Sequence, residues 1–600
     1  MPSKRISVTR ETFTNLKFTN LKLQIFNMSE EKKLSANEYL KIESNYLRGT
    51  LAEELADTST GGISEGSGQM VKFHGCYVQD DRDLRADRRK HKLEKAFSFL
   101  MRVRLPGGVV SPEQWVHMDW ISENFANKTL KLTTRQAFQL HGVIKTQLKR
   151  TVQEMDKVAL DCIAACGDVN RNVMVNPNPH LSTQHADTVK LATEISEHLL
   201  PQGGAYHEIF LDKEKVISSE EVVEPIYGKT YLPRKFKIAI VIPPSNDCDI
   251  HANDLSFIAI VEDEKIVGYN IAVGGGMGMT HGVENTYPRL ADIIGFCTPE
   301  QVVDVAEKVI LVQRDFGNRC DRKQSRLKYT IDSRSTEWFT ETLNEYLGYE
   351  IAPVRPYEFT TNGDNFGWHE DERGFWHLNL FIEGGRVIDS AAYPMKTGLL
   401  EIAKVLKGEF RLTANQNLAI SNISPEQKPE IVALLDEYKI LKSHERSALR
   451  LNSIACVSLP TCGLALAEAE RYLPTLVSDV EVVLEECGLR HDAITIRMTG
   501  CPNGCGRPFL AEIGFVGRGP NRYNLYLGAG HAGQRLNKLY RADIKGTEAV
   551  NILRPILEDY AKNRQDGERF GDFVIRAGYV EATINGLDFH KNIKPEAVSS

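Results

Sequence analysis

Four cysteines near the C-terminal end of the chain have a spacing that suits a metal centre. "ACVSLPTC" places Cys456 and Cys462 six positions apart, and "GCPNGC" places Cys501 and Cys505 four positions apart. Deprotonated sulfurs that converge from two loops are good metal ligands, and iron–sulfur clusters are usually held by four cysteines. The glycines of the second stretch allow sharp turns and let backbone N–H groups approach cluster sulfides. The pattern predicts an iron–sulfur cluster.

Two other interpretations of these cysteines stay open at this point. A structural zinc site favours two to four residues between paired cysteines and often includes histidine, so the wide first pair and the lack of a nearby histidine weaken it. The four cysteines would otherwise be unrelated core residues. The other cysteines are predicted to be packing residues: Cys76, Cys162, Cys166, Cys248, Cys297, Cys320 and Cys487.

The composition of the whole chain limits the classes of function. A length of 600 residues is typical of about three to four domains. The net charge of -7 argues against bulk nucleic-acid binding, although it allows a local basic pocket. The 11 cysteines are too few for a disulfide scaffold and suit a reducing compartment, so we expect a cytoplasmic protein. No apolar run is long enough to span a bilayer.

The first residues do not read as a folded element. The stretch before Met28 is rich in Lys, Arg, Thr and Asn, has one acid in Glu11, and lacks the apolar core of a secretory signal peptide. "MSEEKKLSANEYLK", from Met28, reads as a natural start. We therefore expect residues 1–33 to be an extension that is disordered or reflects an upstream start site. Residues 34–98 would form an N-terminal arm.

The elements that must position the cysteines occur in an order that repeats. "FSFLMRVRLPGG" predicts a strand entering a turn, "SPEQWVHMDWISENFA" a capped helix, and "TLKLTTRQAFQLHG" a further strand. "FWHLNLFIEGGRV", "TGLLEIAKVLKG" and "EFRLTANQNLAIS" repeat this order, with Gln136 in register with Gln416. The repetition predicts an α+β chain of three domains with duplicated, pseudo-twofold mixed α/β halves. A ligand site would lie at the interface between domains.

The cysteine motifs also carry a family resemblance. "CVSLPTC" with "TGCPNGCG" resembles the C-x5-C and C-x3-C signature of the sulfite and nitrite reductases that carry sirohaem coupled to a [4Fe–4S] cluster. The similarity continues through "KFHGCYVQDDRDLRADRR", "RVRLPGG", "YLPRKFK", "GNRCDRK" and "GDFVIRAG", nearly the whole chain after Met28.

The resemblance implies an assimilatory, six-electron reduction of sulfite to sulfide. It implies one sirohaem and one [4Fe–4S] cluster held by the four cysteines, with Cys505 also bridging to the sirohaem iron. The chain shows no flavin or NADPH domain, and "AVGGGMGMTHG" fails as a dinucleotide fingerprint because the third glycine falls on Met279. The family implies a flavoprotein subunit with FAD and FMN that draws on NADPH in a hetero-oligomer. The rival is a ferredoxin-dependent sirohaem enzyme that reduces nitrite or sulfite.

The resemblance assigns the substrate to four basic residues, which are Arg102, Arg171, Lys235 and Lys237. Lys235 and Lys237 lie two apart in a predicted strand and therefore face the same side. Crowded ammonium groups lower the pKa of each other, so we expect a lysine that donates protons near neutral pH. A solvated surface charge is the usual role of such a lysine, but "RKFKIAIVIPP" leads directly into an apolar strand.

Sirohaem carries eight carboxylates, so its pocket should be rich in cations and hydrogen-bond donors. "LTTRQAFQLHG" places three polar side chains at same-parity positions of the predicted strand, hence on one face. The predicted cofactor-binding residues are Arg135, Gln139, His141, Arg322, Lys323, Arg326, Asn417 and Cys505. Arg135 is the first choice among them because Arg binds carboxylates in a bidentate manner.

Domain limits follow from the repeat and the resemblance together. Residues 99–163 and 367–440 would be the ferredoxin-like halves, residues 164–366 the middle sirohaem and substrate domain, and residues 441–591 the iron–sulfur domain. One departure from the family lies at Gly167, where relatives carry a polar side chain near the site. If that side chain orients water, this chain lacks it.

Overall fold

A computed structural model describes residues 33–213 and 224–597. Most of the predicted N-terminal extension lies outside these residues. The strands are β1 (Cys76–Asp80), β2 (Phe97–Arg102), β3 (Val109–Val110), β4 (Leu130–Leu132), β5 (Phe138–Val143), β6 (Ile238–Val241), β7 (Leu255–Glu262), β8 (Lys265–Val273), β9 (Asp292–Cys297), β10 (Gly367–Glu370), β11 (Trp376–Leu380), β12 (Arg386–Val387), β13 (Glu409–Leu412), β14 (Leu418–Ile423), β15 (Ser453–Ala455), β16 (Ile496–Thr499), β17 (Ile513–Gly519), β18 (Arg522–Leu527) and β19 (Lys538–Lys545).

Helices cover the faces of the sheets in these two described ranges, and no helix there is long and apolar enough to cross a membrane. They are α1 (Ala36–Glu43), α2 (Leu51–Ala56), α3 (Glu65–Met70), α4 (Arg85–Lys90), α5 (Pro112–Phe125), α6 (Leu148–Asp156), α7 (Gln184–His198), α8 (Ala205–Phe210), α9 (Val302–Phe316), α10 (Leu327–Arg334), α11 (Thr336–Leu347), α12 (Met395–Val405), α13 (Lys428–Glu437), α14 (Ala448–Leu451), α15 (Leu473–Glu486), α16 (Ala549–Asn563) and α17 (Phe570–Arg576).

The predicted duplication is confirmed by two sheets of five strands with matching order. One sheet runs β1-β2-β5-β4-β12, and the other runs β10-β11-β14-β13-β3. The predicted capped helix is α5, which begins with Pro112 and with a capping box between Ser111 and Gln114. Its counterpart in the second half is α12. Each half therefore has helices packed on an antiparallel sheet, the α+β arrangement expected from the sequence.

Each sheet borrows one short strand from the other half. β3 of the first half pairs with β13, where Val110 faces Phe410, and β12 of the second half pairs with β4, where Val387 faces Leu130. Two glycines precede each borrowed strand. A Cβ added to Gly108 would lie 2.6 Å from the Leu412 carbonyl oxygen, and a Cβ added to Gly385 would lie 2.4 Å from the Leu132 carbonyl oxygen. The repeated double glycine thus allows the reciprocal exchange.

The prediction of a single strand over Thr129–Gly142 is wrong. The stretch is a hairpin in which a turn over residues 133–137 separates β4 from β5. Gln136 has φ 50°, and its counterpart Gln416 has φ 70°. The backbone of each half therefore reverses through a residue in the left-handed conformation. Arg135 lies in the turn, and only Gln139 and His141 share the predicted face of β5.

The two remaining sheets build the other parts of the chain. The middle sheet runs β6-β7-β8-β9, and the C-terminal sheet runs β15-β16-β17-β18-β19. A continuous hydrophobic core extends through the two halves and the middle sheet, from Leu47 to Ile440. The C-terminal sheet has a separate core, from Leu449 to Val580, between α15, α16 and α17. The finer domain limits stay a prediction.

Candidate functional site

The four predicted cysteines lie together at one edge of the C-terminal sheet. Cys456 follows β15 and Cys501 follows β16, and these strands are parallel neighbours in which Ala455 faces Met498. Because parallel neighbours end at the same edge of a sheet, both cysteines start their loops side by side. Cys462 and Cys505 lie further along the same two loops.

The sulfurs of these loops face one another. Burial raises the pKa of the Cys456 thiol well above its usual range, and the charges of Cys505, Cys501 and Cys462 raise it further. Burial and then Cys505 likewise raise the pKa of Cys501 to about 12. These directions show that the four thiols lie close enough to influence one another's ionisation. A metal cluster with deprotonated sulfur ligands would hold the charge of such thiolates.

Hydrogen-bond donors approach two of the sulfurs. The backbone N–H of Gly500 points at Cys456 Sγ at 3.4 Å, and Asn503 Nδ2 lies 3.5 Å from Cys501 Sγ. Donors to ligating sulfur tune the potential of an iron–sulfur centre. Thr461 Oγ1 and Thr499 Oγ1 are buried without a partner among the described residues. These features fit a cluster that accepts hydrogen bonds.

The zinc interpretation fits less well. In the described part of the chain, no three or more His, Cys, Asp or Glu side chains are arranged to hold a single metal ion. A zinc ion needs its ligands at one centre, about 2.3 Å from each sulfur. A [4Fe–4S] cluster binds one thiolate at each iron and holds the sulfurs further apart. The donor set therefore fits a cluster better than one zinc ion.

The glycines of the cysteine loops make room for protein atoms. A Cβ on Gly500 would lie 1.8 Å from Ser458 Oγ, and a Cβ on Gly504, whose φ is 63°, would lie 3.0 Å from the Met277 carbonyl oxygen. A Cβ on Gly506 would meet Thr499 Cγ2 at 3.2 Å. Besides the sharp turns expected from the sequence, these glycines therefore let the two loops and the middle domain pack closely.

Next to Cys505 lies a cleft lined by cations. Lys235 and Lys237 lie just before the apolar strand β6, and each is half-buried. Neither ammonium group has a hydrogen bond or ion pair with any described residue, and neither is fully enclosed. The negative charge of Cys505 is among the effects felt by both lysines. These lysines therefore face an open space that adjoins the cysteine loop.

Burial and crowding change the pKa of both lysines. Burial, then the charges of Arg234 and Arg171, lower the pKa of Lys235 to about 7. Burial, then Arg135 and Lys235, lower the pKa of Lys237 well below its usual range. The expected mutual effect is present, although desolvation contributes more than the like charges. Both sites would gain stability from a bound anion.

Further cations line the same cleft without a carboxylate partner. Burial and then Arg171 lower the pKa of Arg135 to about 9, and burial and then Arg322 lower that of Arg234 to about 10. Arg135 donates to Asn253 Oδ1 at 2.7 Å and to the Ile238 carbonyl oxygen, while its Nε is buried without a partner. This N–H is therefore available to an anionic group such as a cofactor carboxylate.

Arg102 and Arg171 complete the predicted substrate set. Arg102 faces Gln139 across β2 and β5, and its Nε lies 2.9 Å from the Gln139 amide oxygen once that amide is turned to accept. Arg171 donates from Nη2 to the Gly167 carbonyl oxygen at 3.0 Å and is hydrogen-bonded to Tyr77. Neither arginine has a carboxylate partner among the described residues.

Gly167 has a structural reason to lack a side chain. Its φ is 91°, and an added Cβ would lie 2.8 Å from Phe73 Cγ. The polar side chain expected from relatives has no room here. The Gly167 carbonyl oxygen instead orients Arg171, so this position acts on the site through its backbone.

Some predicted cofactor residues have partners within the protein. Arg322 holds Asp168 with two bonds of 2.8 Å and 3.0 Å, and Arg326 Nη2 holds both oxygens of Asp254 at 2.8 Å. Asn417 donates to Asp364 Oδ2 at 2.7 Å and accepts from the Ile382 N–H. Arg322 Nε and Arg326 Nη1 have no hydrogen bond with a described residue, so both guanidinium groups keep donors for a cofactor, and these contacts stay a prediction.

His141 and Lys323 are two further predicted cofactor residues, and their role stays a prediction. His141 is buried beside Gln79, and burial followed by Arg386 lowers its pKa well below the usual range. Lys323 is exposed, and its backbone N–H donates to Asp321 Oδ1 at 2.9 Å. The same-parity argument placed His141 on the face of Gln139, but the two side chains have different surroundings.

Lys72 and Lys328 add positive charge that the motifs did not single out as site residues. Burial, then the charge of Arg322, lower the pKa of Lys72 to about 8. Lys328 is fully buried and donates to the carbonyl oxygens of Gly276 at 3.1 Å and Gly278 at 2.8 Å. Lys72 donates to Gln69 Oε1 at 2.7 Å, but the arginines that influence its pKa come from distant segments, which the sequence does not show.

Arg507 joins the cysteine loop to both halves. It donates from Nη1 to the Thr134 carbonyl oxygen at 3.1 Å and from Nη2 to the Ala414 carbonyl oxygen at 2.8 Å. Thr134 and Ala414 occupy the same position of "LTTRQ" and "LTANQ". Arg507 also binds Asp249 Oδ2, which Arg497 Nη1 approaches at 2.6 Å. One guanidinium thus spans the pseudo-twofold axis two residues after Cys505.

Two surface cavities lie away from the predicted site residues. One, of about 420 Å³, is lined by Arg289, Asp292 and residues 331–336, and the other, of about 430 Å³, lies between α7 and the β7–β8 hairpin. Neither contains a predicted site residue. The chemistry of the cleft, and not cavity size, therefore identifies the candidate site.

Two protein-family models match the chain. The model described as "Nitrite/Sulfite reductase ferredoxin-like half domain" matches residues 91–158 and again residues 369–438. The model described as "Nitrite and sulphite reductase 4Fe-4S domain" matches residues 192–351. That range contains the middle sheet and the Lys235–Lys237 pair but none of the four clustered cysteines.

Individual relatives match over nearly the full chain. The sulfite reductase (NADPH) hemoprotein beta-component of Oceanobacillus iheyensis is 57% identical, covering 92% of this chain and 96% of the relative. The protein of the same name from Anoxybacillus flavithermus is 58% identical, covering 92% and 97%. Among solved structures, the Mycobacterium tuberculosis NirA protein has a TM-score of 0.74 and 26% identity, covering 91% of this chain and 97% of that one.

Proposed function

The chain belongs to the family of nitrite and sulphite reductases, and from this premise we propose that it is the haemoprotein component of an NADPH-dependent sulfite reductase. In the proposed reaction, hydrogen sulfite takes up six electrons and six protons and yields hydrogen sulfide anion and three waters. The observation that carries the proposal is the set of cations without carboxylate partners beside the cysteine loops, which are Arg102, Arg135, Arg171, Arg234, Lys235 and Lys237.

The cofactors are one sirohaem and one [4Fe–4S] cluster, which together supply the electrons and the iron that binds sulfur. Cys456, Cys462, Cys501 and Cys505 would hold the cluster. Cys505, the exposed one of the four, would also be the ligand that links the cluster to the sirohaem iron. Arg135 would bind a sirohaem carboxylate through its unpartnered Nε.

The cleft cations would bind sulfite and supply its protons. Sulfite is a small dianion, so Arg102 and Arg171 would fix its oxygens by charge-assisted hydrogen bonds. Lys235, with a pKa of about 7, carries a proton that it readily gives up near neutral pH. Each sulfite oxygen that receives protons can leave as water, and Lys237 would stabilise the negative charge that remains.

We place this activity with a flavoprotein partner and in the cytoplasm. The relatives' name includes NADPH, while the described residues contain no dinucleotide-binding strand–helix unit at "AVGGGMGMTHG", which forms the end of β8 and a loop. A separate protein with FAD and FMN would therefore oxidise NADPH. The four clustered cysteines form no disulfide with a described residue, which suits a reducing compartment.

The first test is the visible spectrum of the purified chain, with iron and acid-labile sulfide analysis. Expression with sirohaem synthesis intact should give haem-like bands, a red chlorin-type absorption and about five iron atoms per chain. Sulfite reduction with reduced methyl viologen then tests the reaction without any partner. A colourless protein that holds zinc would overturn the proposal. A clear preference for nitrite over sulfite would favour the ferredoxin-dependent rival.

A further inference from the structure

The loop that carries Cys462 reaches the protein surface. Gly463 is exposed and has no heavy atom within 4 Å of an added Cβ, and Leu464 is 68% exposed. Leu466, two residues later, is 38% exposed. Exposed aliphatic side chains on a loop that also supplies a cluster ligand are unusual, because a buried redox centre is normally covered by the protein core.

The segment that begins at Arg82 is fastened to this loop. Arg82 donates from its backbone N–H to the Pro460 carbonyl oxygen at 3.2 Å and from Nη1 to the Ala465 carbonyl oxygen at 2.5 Å. Asp83 accepts from Arg471 Nη1 at 2.6 Å. Leu84 follows with an exposed fraction of 46%, so a third aliphatic side chain lies close to the loop.

The same segment is basic in an acidic chain. Residues 81–95 contain seven Lys and Arg but four Asp and Glu, whereas the whole chain has a net charge of -7. Arg85 pairs with Asp80, and Arg88 donates to the Glu94 carbonyl oxygen. Arg89, Lys90 and Lys92 are exposed and have no ion pair with the described residues.

Geometry keeps these features within one patch. α4 (Arg85–Lys90) rises about 1.5 Å per residue, so its last residue lies within about 10 Å of Leu84 along the axis. A protein interface of standard size covers about 800 Å² on each partner, which is wide enough to include both ends of the helix. We name Leu84, Arg89, Lys90, Lys92, Leu464 and Leu466 the cluster-loop surface.

We propose that the cluster-loop surface is the docking site for the electron donor, an acidic flavoprotein. An apolar centre with a rim of unpaired cations is the usual anatomy of a transient interface with an acidic partner. Electron transfer needs a short path, and this surface lies directly over a ligand of the proposed cluster. The inference rests on the proposed function, in which reduced flavin is oxidised and sulfite is reduced.

The test reverses the charge of Arg89, Lys90 and Lys92, the basic rim of the cluster-loop surface, in the holoenzyme. The variant Arg89→Glu/Lys90→Glu/Lys92→Glu is compared with the unaltered protein, using the recombinant FAD- and FMN-containing component of a sulfite reductase (NADPH). At low ionic strength we expect the apparent KM for the flavoprotein to rise about tenfold or more, and its measured binding to weaken by a similar factor. The salt dependence of binding should flatten.

A matched control changes the same amount of charge elsewhere. Lys229→Glu/Lys407→Glu/Lys562→Glu alters three exposed lysines on other parts of the surface and should leave flavoprotein binding within about twofold. A second variant, Leu464→Ser, removes apolar area without a charge change and should weaken binding several-fold. An unchanged visible spectrum checks that each variant keeps its cofactors.

The outcomes separate this inference from the proposed function. Sulfite reduction with reduced methyl viologen bypasses docking, so the rim variant should keep it while losing NADPH-driven activity. If the rim variant binds the flavoprotein normally, or if the control variant loses as much, the docking proposal is overturned. A change of oligomeric state in the rim variant would also overturn it in favour of a second copy of the chain. Absent viologen activity in the unaltered protein would instead refute the proposed function.

Discussion

The side-chain hydroxyl of Thr134 donates a hydrogen bond to the carbonyl oxygen of Cys505 at 2.9 Å. Thr134 lies in the turn of the first half, and Cys505 lies in the loop that faces the cation cleft. The bond is one of several that fix this loop from outside its own sheet, together with the bonds of Arg507. The position of Cys505 is therefore set where the two halves and the C-terminal sheet meet.

Arg507→Lys should destabilise this junction. A lysine keeps the charge but cannot donate to Thr134, Ala414 and Asp249 at once, so buried acceptors lose their donor. We expect the free energy of unfolding of the apoprotein to fall by about 2–4 kcal/mol, measured by chemical denaturation. Arg518→Lys, at an exposed arginine of the same sheet, is the control and should change little. Equal stability of the two variants would contradict the bridging role of Arg507.

Replacing one cluster cysteine should remove the metal. Cys501→Ser leaves three thiolates, so we expect loss of most acid-labile sulfide and of the non-haem iron. Cys297→Ser is the control, because Cys297 is equally buried but lies in β9 of the middle sheet. Iron and sulfide analysis of both purified proteins is the measurement. Full iron content in the Cys501 variant would favour other ligands.

The pH dependence of the reaction should follow Lys235. Its pKa is lowered to about 7, chiefly by burial, so kcat/KM for sulfite should fall as the pH rises through that value and the donor proton is lost. Bound sulfite dianion favours the protonated form of Lys235. The alkaline limb of the kcat profile should therefore lie at higher pH than that of kcat/KM.

The Lys235 variants separate charge from proton donation. Lys235→Met should abolish the alkaline limb together with most activity, whereas Lys235→Arg keeps the charge, binds sulfite better than the Met variant and also lacks the limb. An alkaline limb that is unchanged in both variants would show that another group donates the proton.

The same pKa predicts a stability effect in the cofactor-free protein. Between about pH 7 and the usual lysine value of 10.5, the unfolded chain binds a proton that folded Lys235 does not, so the free energy of unfolding should rise with pH. Lys235→Met should flatten this rise. Thermal unfolding of the apoprotein at pH 7 and pH 9.5 gives the measurement, and an equal rise in the variant would contradict it.

Gly167→Ala should both strain the backbone and displace a substrate residue. The φ of 91° disfavours any side chain, and the added Cβ would contact Phe73 at 2.8 Å. We expect a loss of about 2–4 kcal/mol of folding free energy. Because Arg171 loses its fixed acceptor, the KM for sulfite should rise more than kcat falls. A variant with normal stability and normal KM would show that relatives' side chains are tolerated here.

The sequence was most informative where chemistry is local. Cys456, Cys462, Cys501 and Cys505 were found from spacing alone, and the parallel strands before them explain why the two pairs meet. Lys235 and Lys237 were predicted from the family resemblance, and strand alternation added only that they face the same side. The duplication was visible because the double glycine and the turn residues recur at matching positions.

Features that depend on contacts between distant segments, or on a turn without typical turn residues, could not be predicted from the sequence. The hairpin around Gln136 contains no glycine or proline at the turn, so its positive φ had no sequence signal. Asp249, Arg497 and Arg507 meet only after the middle and C-terminal sheets have packed together. The partners of Arg322, Arg326 and Asn417 are likewise distant acids, so composition alone could not show that these side chains already have partners.

The reciprocal exchange of β3 and β12 has a consequence for how the chain reaches its fold. The Gln136 Nε2 bond to the Leu412 carbonyl oxygen joins positions 276 residues apart, and neither five-stranded sheet can close until its counterpart has been synthesised. Such high contact order slows folding, since the entropy of closing a long loop must be met before the contacts form. We therefore expect the nascent first half to have an unpaired sheet edge at β4 until β12 has been synthesised. Chaperones would matter most at this stage.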